Sequence, residues 1–138
     1  MRSHRWTTVC FVAFLLALHG TISSAEPKIG HTTDTKNKAE GIFNGNVRDL
    51  SKGSEVFSNE IVRTGPDSIA GLRFLDKSIL TVGPISEVNL DTFVYDPNGS
   101  SGAVVIQATR GAFRFITGTQ NKKAYEVRTP LGTLGIRG

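Results

Sequence analysis

The chain has few of the residues that carry enzyme and metal chemistry. Its 138 residues include one cysteine, one tryptophan, one methionine and three histidines. Cys10 lies in an apolar N-terminal stretch, so the rest of the chain has no thiol, disulfide or cysteine metal site. His31 is the one histidine after residue 25, which leaves Ser–His and zinc–histidine arrangements without their parts. We therefore expect no catalytic residue, no metal site and no cofactor.

Long hydrophobic runs are absent after the N-terminus. Residues 9–18 are apolar, a basic segment at residues 2–5 precedes them, and Ser23-Ser24-Ala25 follows. This run is too short to cross the roughly 30 Å hydrocarbon core as a helix, which takes about 20 residues. The pattern predicts a helical signal peptide at residues 1–25, with a retained anchor as the alternative. After cleavage we expect no stable membrane span and a periplasmic or extracellular bacterial location.

Charge of neither sign is in large excess. Loss of Arg2 and Arg5 with the signal peptide lowers Lys plus Arg from 16 to 14, against 12 Asp plus Glu, so the net charge becomes about +2. A balance this small argues against a nucleic-acid partner or an anionic membrane surface.

The segment after the predicted cleavage site is polar. Residues 26–40 show no apolar period and include Pro27 and Gly30. This composition predicts a flexible linker at residues 26–40, followed by one domain at residues 41–138.

The predicted domain shows the alternation of β-strands and no helical period. Apolar and polar residues alternate between breaks at Gly, Pro, Asn and Asp. Phe113 and Phe115 flank Arg114, which directs both rings to one face and the guanidinium to the other. The same reasoning gives an inward set of Ala70, Leu72, Phe74, Leu80, Val82, Val88, Leu90, Val104, Ile106 and Ala108. The predicted strands are residues 42–47, 54–56, 60–64, 68–74, 78–82, 87–95, 103–109, 112–117, 124–129 and 133–136.

The turns recur at a regular spacing. Thr64-Gly65-Pro66 and Val82-Gly83-Pro84 lie 18 residues apart, and Gly45 and Gly102 extend a cadence of about twenty residues. Such a cadence is typical of the coils of a β-solenoid. We therefore predict a small β-solenoid-like roll of short strands, with a β-sandwich as the alternative.

Three segments together resemble the FecR domain of bacterial envelope proteins. They read TGPDSIAGLRFLDKSILTVGPISEVNL at residues 64–90, ATRGAFRFITG at 108–118 and YEVRTPLGTLGIRG at 125–138. The resemblance covers about residues 41–138 and implies a β-solenoid-like fold. Family members are best known as inner-membrane regulators that join a cytoplasmic sigma-factor contact to a periplasmic domain sensing a transporter.

The chain departs from the family pattern at three places. Lys77 stands where family members usually have Gly, which would cost about 1 kcal/mol if the position needs positive φ. Only five residues precede Trp6, so we expect no cytoplasmic sigma-factor segment. The family pattern normally runs on through a Thr after Arg-Gly, so the ending at Gly138 indicates a fragment or a final strand closed by a partner.

Candidate chemical sites each have a simpler structural interpretation. Asp76 precedes Lys77-Ser78 between two strands and is predicted to form turn hydrogen bonds. Residues 96–102 suit a hairpin tip better than a calcium loop, because the glycine and glutamate of an EF-hand are missing. Glu87 and Asp91 share a strand face, where solvated carboxylates are the expected interpretation. A basic strip for an anionic partner is the alternative use of Arg110, Arg114, Lys122, Lys123 and Arg128.

These observations predict an exported, non-enzymatic β-domain that acts as a protein-interaction or scaffold module in the bacterial envelope. It would resemble the periplasmic domain of FecR-type regulators and bind an envelope protein. The alternative is a module that binds cell-wall polysaccharide or peptidoglycan. The predicted partner contacts are Tyr95, Asp96, Asn98, Arg110, Arg114, Arg128, Leu134 and Ile136.

Overall fold

The computed structural model describes residues 26–135. The predicted signal peptide at residues 1–25 and the predicted contact Ile136 lie outside this range. The described residues form twelve strands and one short 3-10 helix, which confirms the all-β prediction. The strands are β1 Lys28–Lys36, β2 Ala39–Phe43, β3 Asn46–Asp49, β4 Glu55–Phe57, β5 Glu60–Thr64, β6 Ile69–Phe74, β7 Ile79–Val82, β8 Glu87–Val94, β9 Ala103–Arg110, β10 Phe113–Ile116, β11 Tyr125–Thr129 and β12 Gly132–Gly135, and the 3-10 helix is Lys122–Ala124.

The strands form two sheets. The five-stranded sheet has the order β10-β7-β6-β1-β4, and the seven-stranded sheet has the order β12-β11-β9-β8-β5-β2-β3. Neighbouring strands are antiparallel except β9 and β11, which are parallel. The chain passes repeatedly from one sheet to the other, so that both sheets draw strands from the whole length of the domain.

The core lies between the two sheets. Buried residues from both sheets form one hydrophobic cluster, and all ten predicted inward aliphatic and aromatic residues of β6 to β9 belong to it. Phe74 of the five-stranded sheet and Phe93 of the seven-stranded sheet stack with ring centroids 5.6 Å apart. Phe113 and Phe115 pack against this cluster but are only partly buried, while Arg114 between them is exposed.

The prediction of a flexible linker at residues 26–40 is wrong. Residues 28–36 form β1, which pairs with β4 on one side and β6 on the other. Ile29 and Thr32 face the interior and are buried. Ile29 is the one large aliphatic residue of this strand, so the sequence shows no apolar alternation there. Gly30 lets β1 and β6 pack closely, because a Cβ at this position would lie 2.4 Å from the Arg73 carbonyl oxygen. The packed domain therefore begins at Lys28 and not at Gly41.

The single strand predicted at residues 42–47 is also wrong. The chain turns back at Asn44-Gly45, which separates β2 from β3. Both turn residues have positive φ, 48° at Asn44 and 77° at Gly45. Asn-Gly is the sequence most favoured in a two-residue hairpin turn, and here it outweighs the apolar residues on either side.

The predicted turn repeat is present as two equivalent corners between the sheets. Gly65 N–H donates to the Lys38 carbonyl (3.1 Å), and Gly83 N–H donates to the Ala112 carbonyl (2.8 Å). The hydroxyls of Ser68 and Ser86, 18 residues apart, each donate to the carbonyl of the proline two residues earlier at 2.9 Å. At each corner, these bonds join the turn to a segment distant in sequence, at Lys38 in the first corner and at Ala112 in the second.

One residue of the second corner has an unfavourable backbone conformation. Ile85 has φ 49°, and its counterpart in the first corner, Asp67, has φ 50°. Aspartate tolerates this left-handed region, whereas the branched Cβ of isoleucine does not. Because Ile85 is also 55% exposed, its side chain gains little from packing.

We expect Ile85→Asn to stabilise the domain by about 1 kcal/mol, since asparagine accepts the left-handed conformation. Urea unfolding would measure this as a higher midpoint. Val47→Asn is the matched control, because Val47 is equally exposed at 55% but does not have positive φ. Equal shifts in both variants would show that exposure, and not backbone strain, governs this position.

Candidate interaction surface

One lateral side of the two sheets is closed by side chains. Arg48 of β3 donates to Glu60 from Nε (3.1 Å) and Nη2 (2.7 Å), and it also donates to the Glu55 carbonyl of β4. Its guanidinium lies 5.5 Å from the centroid of the Phe57 ring, which contacts Phe43. These contacts join edge strand β3 of one sheet to edge strand β4 of the other.

The opposite lateral side is open, and we call it the open edge: β10, the β11–β12 turn and β12. The five-stranded sheet ends at β10, where Phe115 contacts Tyr125 of β11 at 5.7 Å between ring centroids. The seven-stranded sheet continues one strand further, to β12. Leu134 of β12 pairs in register with Val127, so both side chains lie on the core face of this sheet. Val127 is 4% exposed and Leu134 60% exposed, because no described strand covers β12.

Two other apolar side chains are exposed at the open edge. Ile116 is 43% exposed on the outer face of β10, away from Phe113 and Phe115, and Leu131 of the β11–β12 turn is fully exposed. A groove of about 350 Å³ lies where β9 and β11 diverge, with Phe113 and Leu131 among its lining residues. Single exposed apolar residues are ordinary on a protein surface, but Leu131, Leu134 and Ile116 all lie beside strand edges that have no described neighbour, which makes this edge the candidate surface.

The predicted basic strip is divided by the fold. Arg110 lines the groove at the end of β9, and Arg114 lies on β10 of the other sheet. Neither side chain makes an ion pair or hydrogen bond within residues 26–135. Arg128 does: it donates to Glu126 at 2.6 Å and lies 3.8 Å from Asp91. The bond to Glu126 raises the pKa of Arg128. Arg114 at the open edge and Arg110 in the groove beside it are therefore unpaired within residues 26–135, whereas Arg128 is neutralised on the outer face of the seven-stranded sheet.

The predicted hairpin tip connects β8 to β9, as expected. Tyr95 at its start is half-exposed. The Asp96 carboxylate accepts hydrogen bonds from the backbone N–H groups of Asn98 (2.9 Å), Ser100 (3.0 Å) and Ser101 (2.8 Å). The loop also binds the segment after β10, where the Gln120 amide donates to the Asp96 carbonyl at 2.7 Å. Tyr95, Asp96 and Asn98, which were predicted to contact a partner, therefore lie in a loop that its own hydrogen bonds hold in one conformation. In the described part of the chain, no cluster of three or more metal-ligating residues occurs.

We expect Asp96 to stabilise the domain in a pH-dependent way. The backbone hydrogen bonds from Ser101 and Asn98 lower the pKa of Asp96 below its ordinary value of 3.8. A depressed folded-state pKa gives stability that is present above the unfolded-state pKa and is lost as pH falls below it. Between about pH 4 and pH 2, the free energy of unfolding should therefore fall less for Asp96→Asn than for the wild type. Thermal unfolding at a series of pH values would measure this difference.

Asp49→Asn is the control for this experiment, because Asp49 is exposed and its carboxyl has no hydrogen-bond partner among residues 26–135. If Asp96→Asn loses as much stability between about pH 4 and pH 2 as the wild type does, the loop hydrogen bonds do not have the proposed role.

A buried polar cluster of Asp76, Ser78 and Tyr125 lies next to the open edge. Most of its contacts could not be predicted from the sequence. Asp76 does form the predicted turn bonds, since it accepts from Ser78 N–H (3.0 Å) and Oγ (2.5 Å). It also accepts from the Tyr125 hydroxyl at 2.7 Å, and that hydroxyl accepts from the N–H groups of Gly118 and Gln120. Burial, with the bond to Asp76, raises the pKa of Tyr125 to about 12. Lys77 has φ 66°, so the position does require the conformation that glycine adopts easily.

Comparison with known families gives one match. The model described as FecR protein matches residues 60–138, which contain every strand from β5 onward. Neither the curated proteins nor the solved structures gave a match. In residues 26–135 no helix has the length and hydrophobicity of a membrane span. Because the family model covers more than half of the sequence, the chain belongs to the FecR protein family.

Proposed function

We propose that this protein is an exported, non-enzymatic interaction module of the bacterial envelope, which binds another protein through the open edge. Membership of the FecR family supports an envelope setting, because proteins of this family are envelope-associated. The predicted signal peptide supports export. The partner would be an envelope protein, as in the FecR-type regulators to which this chain is related.

The proposal is supported by a difference between the two lateral sides of the domain, one of which is closed by side chains and the other open. Arg48 and Phe57 close the β3–β4 side, whereas Leu131, Leu134 and Ile116 are exposed beside β10 and β12. A rigid roll with the repeated corners described above would present this edge in a constant shape. Preorganisation of that kind lowers the entropy cost of binding.

The buried carboxyl groups support a structural interpretation over an enzymatic one. Asp76 is engaged by Ser78 and Tyr125, and Glu60 is engaged by Arg48 and the Phe57 N–H (3.0 Å). Both side chains are fully buried. Groups with such complete internal hydrogen bonding hold elements together and are not accessible to a substrate.

Affinity purification after chemical crosslinking in the source bacterium would test the proposal. The full chain would carry a tag after Ala25, and mass spectrometry would identify the crosslinked proteins. We expect one envelope protein to be recovered reproducibly, and less of it from Ile116→Glu than from wild type. Recovery of no specific protein, together with salt-sensitive retention on purified cell wall, would overturn the proposal in favour of polysaccharide binding.

A further inference from the structure

We infer that the free edge of β10 receives an extended strand from the partner, in which apolar residues alternate with acidic ones. This inference rests on the proposed function and specifies its binding mode, which is strand addition to an exposed sheet edge. The strand that occupies this edge belongs to a partner protein and not to a second copy of this chain.

The backbone of β10 is available for pairing. β10 has β7 as its neighbour, with Phe113 opposite Val82 and Ile116 opposite Ile79. No described strand pairs with its other side, where unpaired N–H and C=O groups can receive a strand.

The side chains around this edge indicate an alternating partner. A strand added beside β10 would extend the five-stranded sheet over the uncovered core face of β12. Its inward residues would then contact Leu134 and the exposed parts of Phe115, so these residues should be apolar. Its outward residues would lie beside Arg114 and Ile116 on the opposite face.

Charge indicates that the outward residues are acidic. Arg114 has no carboxylate partner among residues 26–135, and Arg110 at the nearby groove has none either. A carboxylate opposite Arg114 would supply the missing cross-strand partner. Pairing of two copies through β10 would instead place two Arg114 side chains on one face of the joined sheet, where like charges repel.

The other free edge, β12, is a poorer acceptor. A strand added there would lengthen the seven-stranded sheet and leave Leu134 uncovered, whereas a strand at β10 covers it. Edges β3 and β4 are already joined by Arg48 and its contact with Phe57. Within the described residues, β10 is therefore the edge at which an added strand buries the most exposed apolar surface.

Fluorescence anisotropy with defined peptides would test the inference on the purified protein. The probes are labelled eight-residue peptides of alternating valine and glutamate, and of alternating valine and lysine. We expect the acidic peptide to bind and the basic one to bind at least about tenfold more weakly. Arg114→Glu should reverse this preference, because it exchanges the sign of the charge that faces the peptide.

Arg73→Glu is the matched control. Arg73 lies on the outer face of the same sheet, is exposed, and has no carboxylate partner among residues 26–135. We expect this variant to keep the wild-type preference. The inference is overturned if the acidic peptide does not bind, if Arg114→Glu leaves the preference unchanged, or if Arg73→Glu changes it equally.

The protein can bind an envelope partner even if no strand is added at β10. A specific envelope partner recovered equally with wild type and Ile116→Glu would keep the proposed function and reject β10 as its site. Homodimerisation that Ile116→Glu abolishes would also reject the inference, because the occupant would then be a second copy.

Discussion

Replacement of Asp76 by alanine is expected to lower the free energy of unfolding by about 3–5 kcal/mol. The side chain is fully buried and accepts hydrogen bonds from Ser78 N–H, Ser78 Oγ and the Tyr125 hydroxyl. Alanine leaves these three donors without an acceptor, and each unsatisfied buried group costs about 1–3 kcal/mol, partly offset by relaxation. The loss is large against the 5–15 kcal/mol of a typical domain.

Urea unfolding followed by circular dichroism would measure this difference. Asp49→Ala is the control, since Asp49 is exposed and should change stability by less than about 0.5 kcal/mol. Tyr125→Phe provides a second variant in case Asp76→Ala does not fold, because it removes one donor to Asp76 and one acceptor for Gly118 and Gln120. Losses below 1 kcal/mol in both variants would contradict the structural role of this cluster.

Replacement of Glu60 by alanine is expected to cost about 2–4 kcal/mol. Glu60 is fully buried, and its carboxylate binds Arg48 at 2.7 Å and the Phe57 N–H at 3.0 Å. Breaking a buried ion pair commonly costs 3–5 kcal/mol because the remaining charge is left without a partner. The expected value is lower here because Arg48 is 36% exposed and can reach water.

Glu55→Ala is the matched control for Glu60. Glu55 pairs with Lys28 at 3.1 Å, but both side chains are about half exposed, and such pairs contribute less than about 1 kcal/mol. Thermal and urea unfolding of the two variants should therefore differ clearly. If both variants lose a similar free energy of unfolding, the buried Glu60–Arg48 pair does not stabilise the domain more than an exposed pair does, which would contradict its role in closing this side.

The strands from β5 onward could be predicted because alternation there is strong and the breaks are sharp. Leu72 and Phe74 alternate with Gly71 and Arg73, and a period of two leaves one choice for the inward face. β1 could not be found in this way, since Thr32 is buried among polar neighbours and its burial depends on two strands distant in sequence. The Asn44-Gly45 turn was predictable from its own sequence, because Asn-Gly favours a two-residue hairpin turn more strongly than the flanking apolar residues favour a continuous strand.

The candidate surface was only partly predictable, because it also depends on contacts between segments that are distant in sequence. Leu134, Arg110 and Arg114 were expected to contact a partner, and the fold places all three at or beside the open edge. Tyr95, Asp96 and Asn98 lie in a loop fixed by its own hydrogen bonds, and Arg128 is paired with acidic neighbours. The reason for the exposure of Leu134 is that one sheet extends further than the other. That difference, like the Asp76–Tyr125 contact across 49 residues, arises from the topology and not from any local pattern.

Site-specific photo-crosslinking in the source bacterium would show whether a partner protein binds at the open edge. A photoreactive phenylalanine analogue would replace Ile116 at the open edge or, as a control, Arg73 on the outer face of the same sheet. We expect a crosslink from position 116 to an extended segment of one envelope protein in which acidic and apolar residues alternate, and no such crosslink from position 73. Crosslinks from position 73 alone, or from neither position, would contradict it.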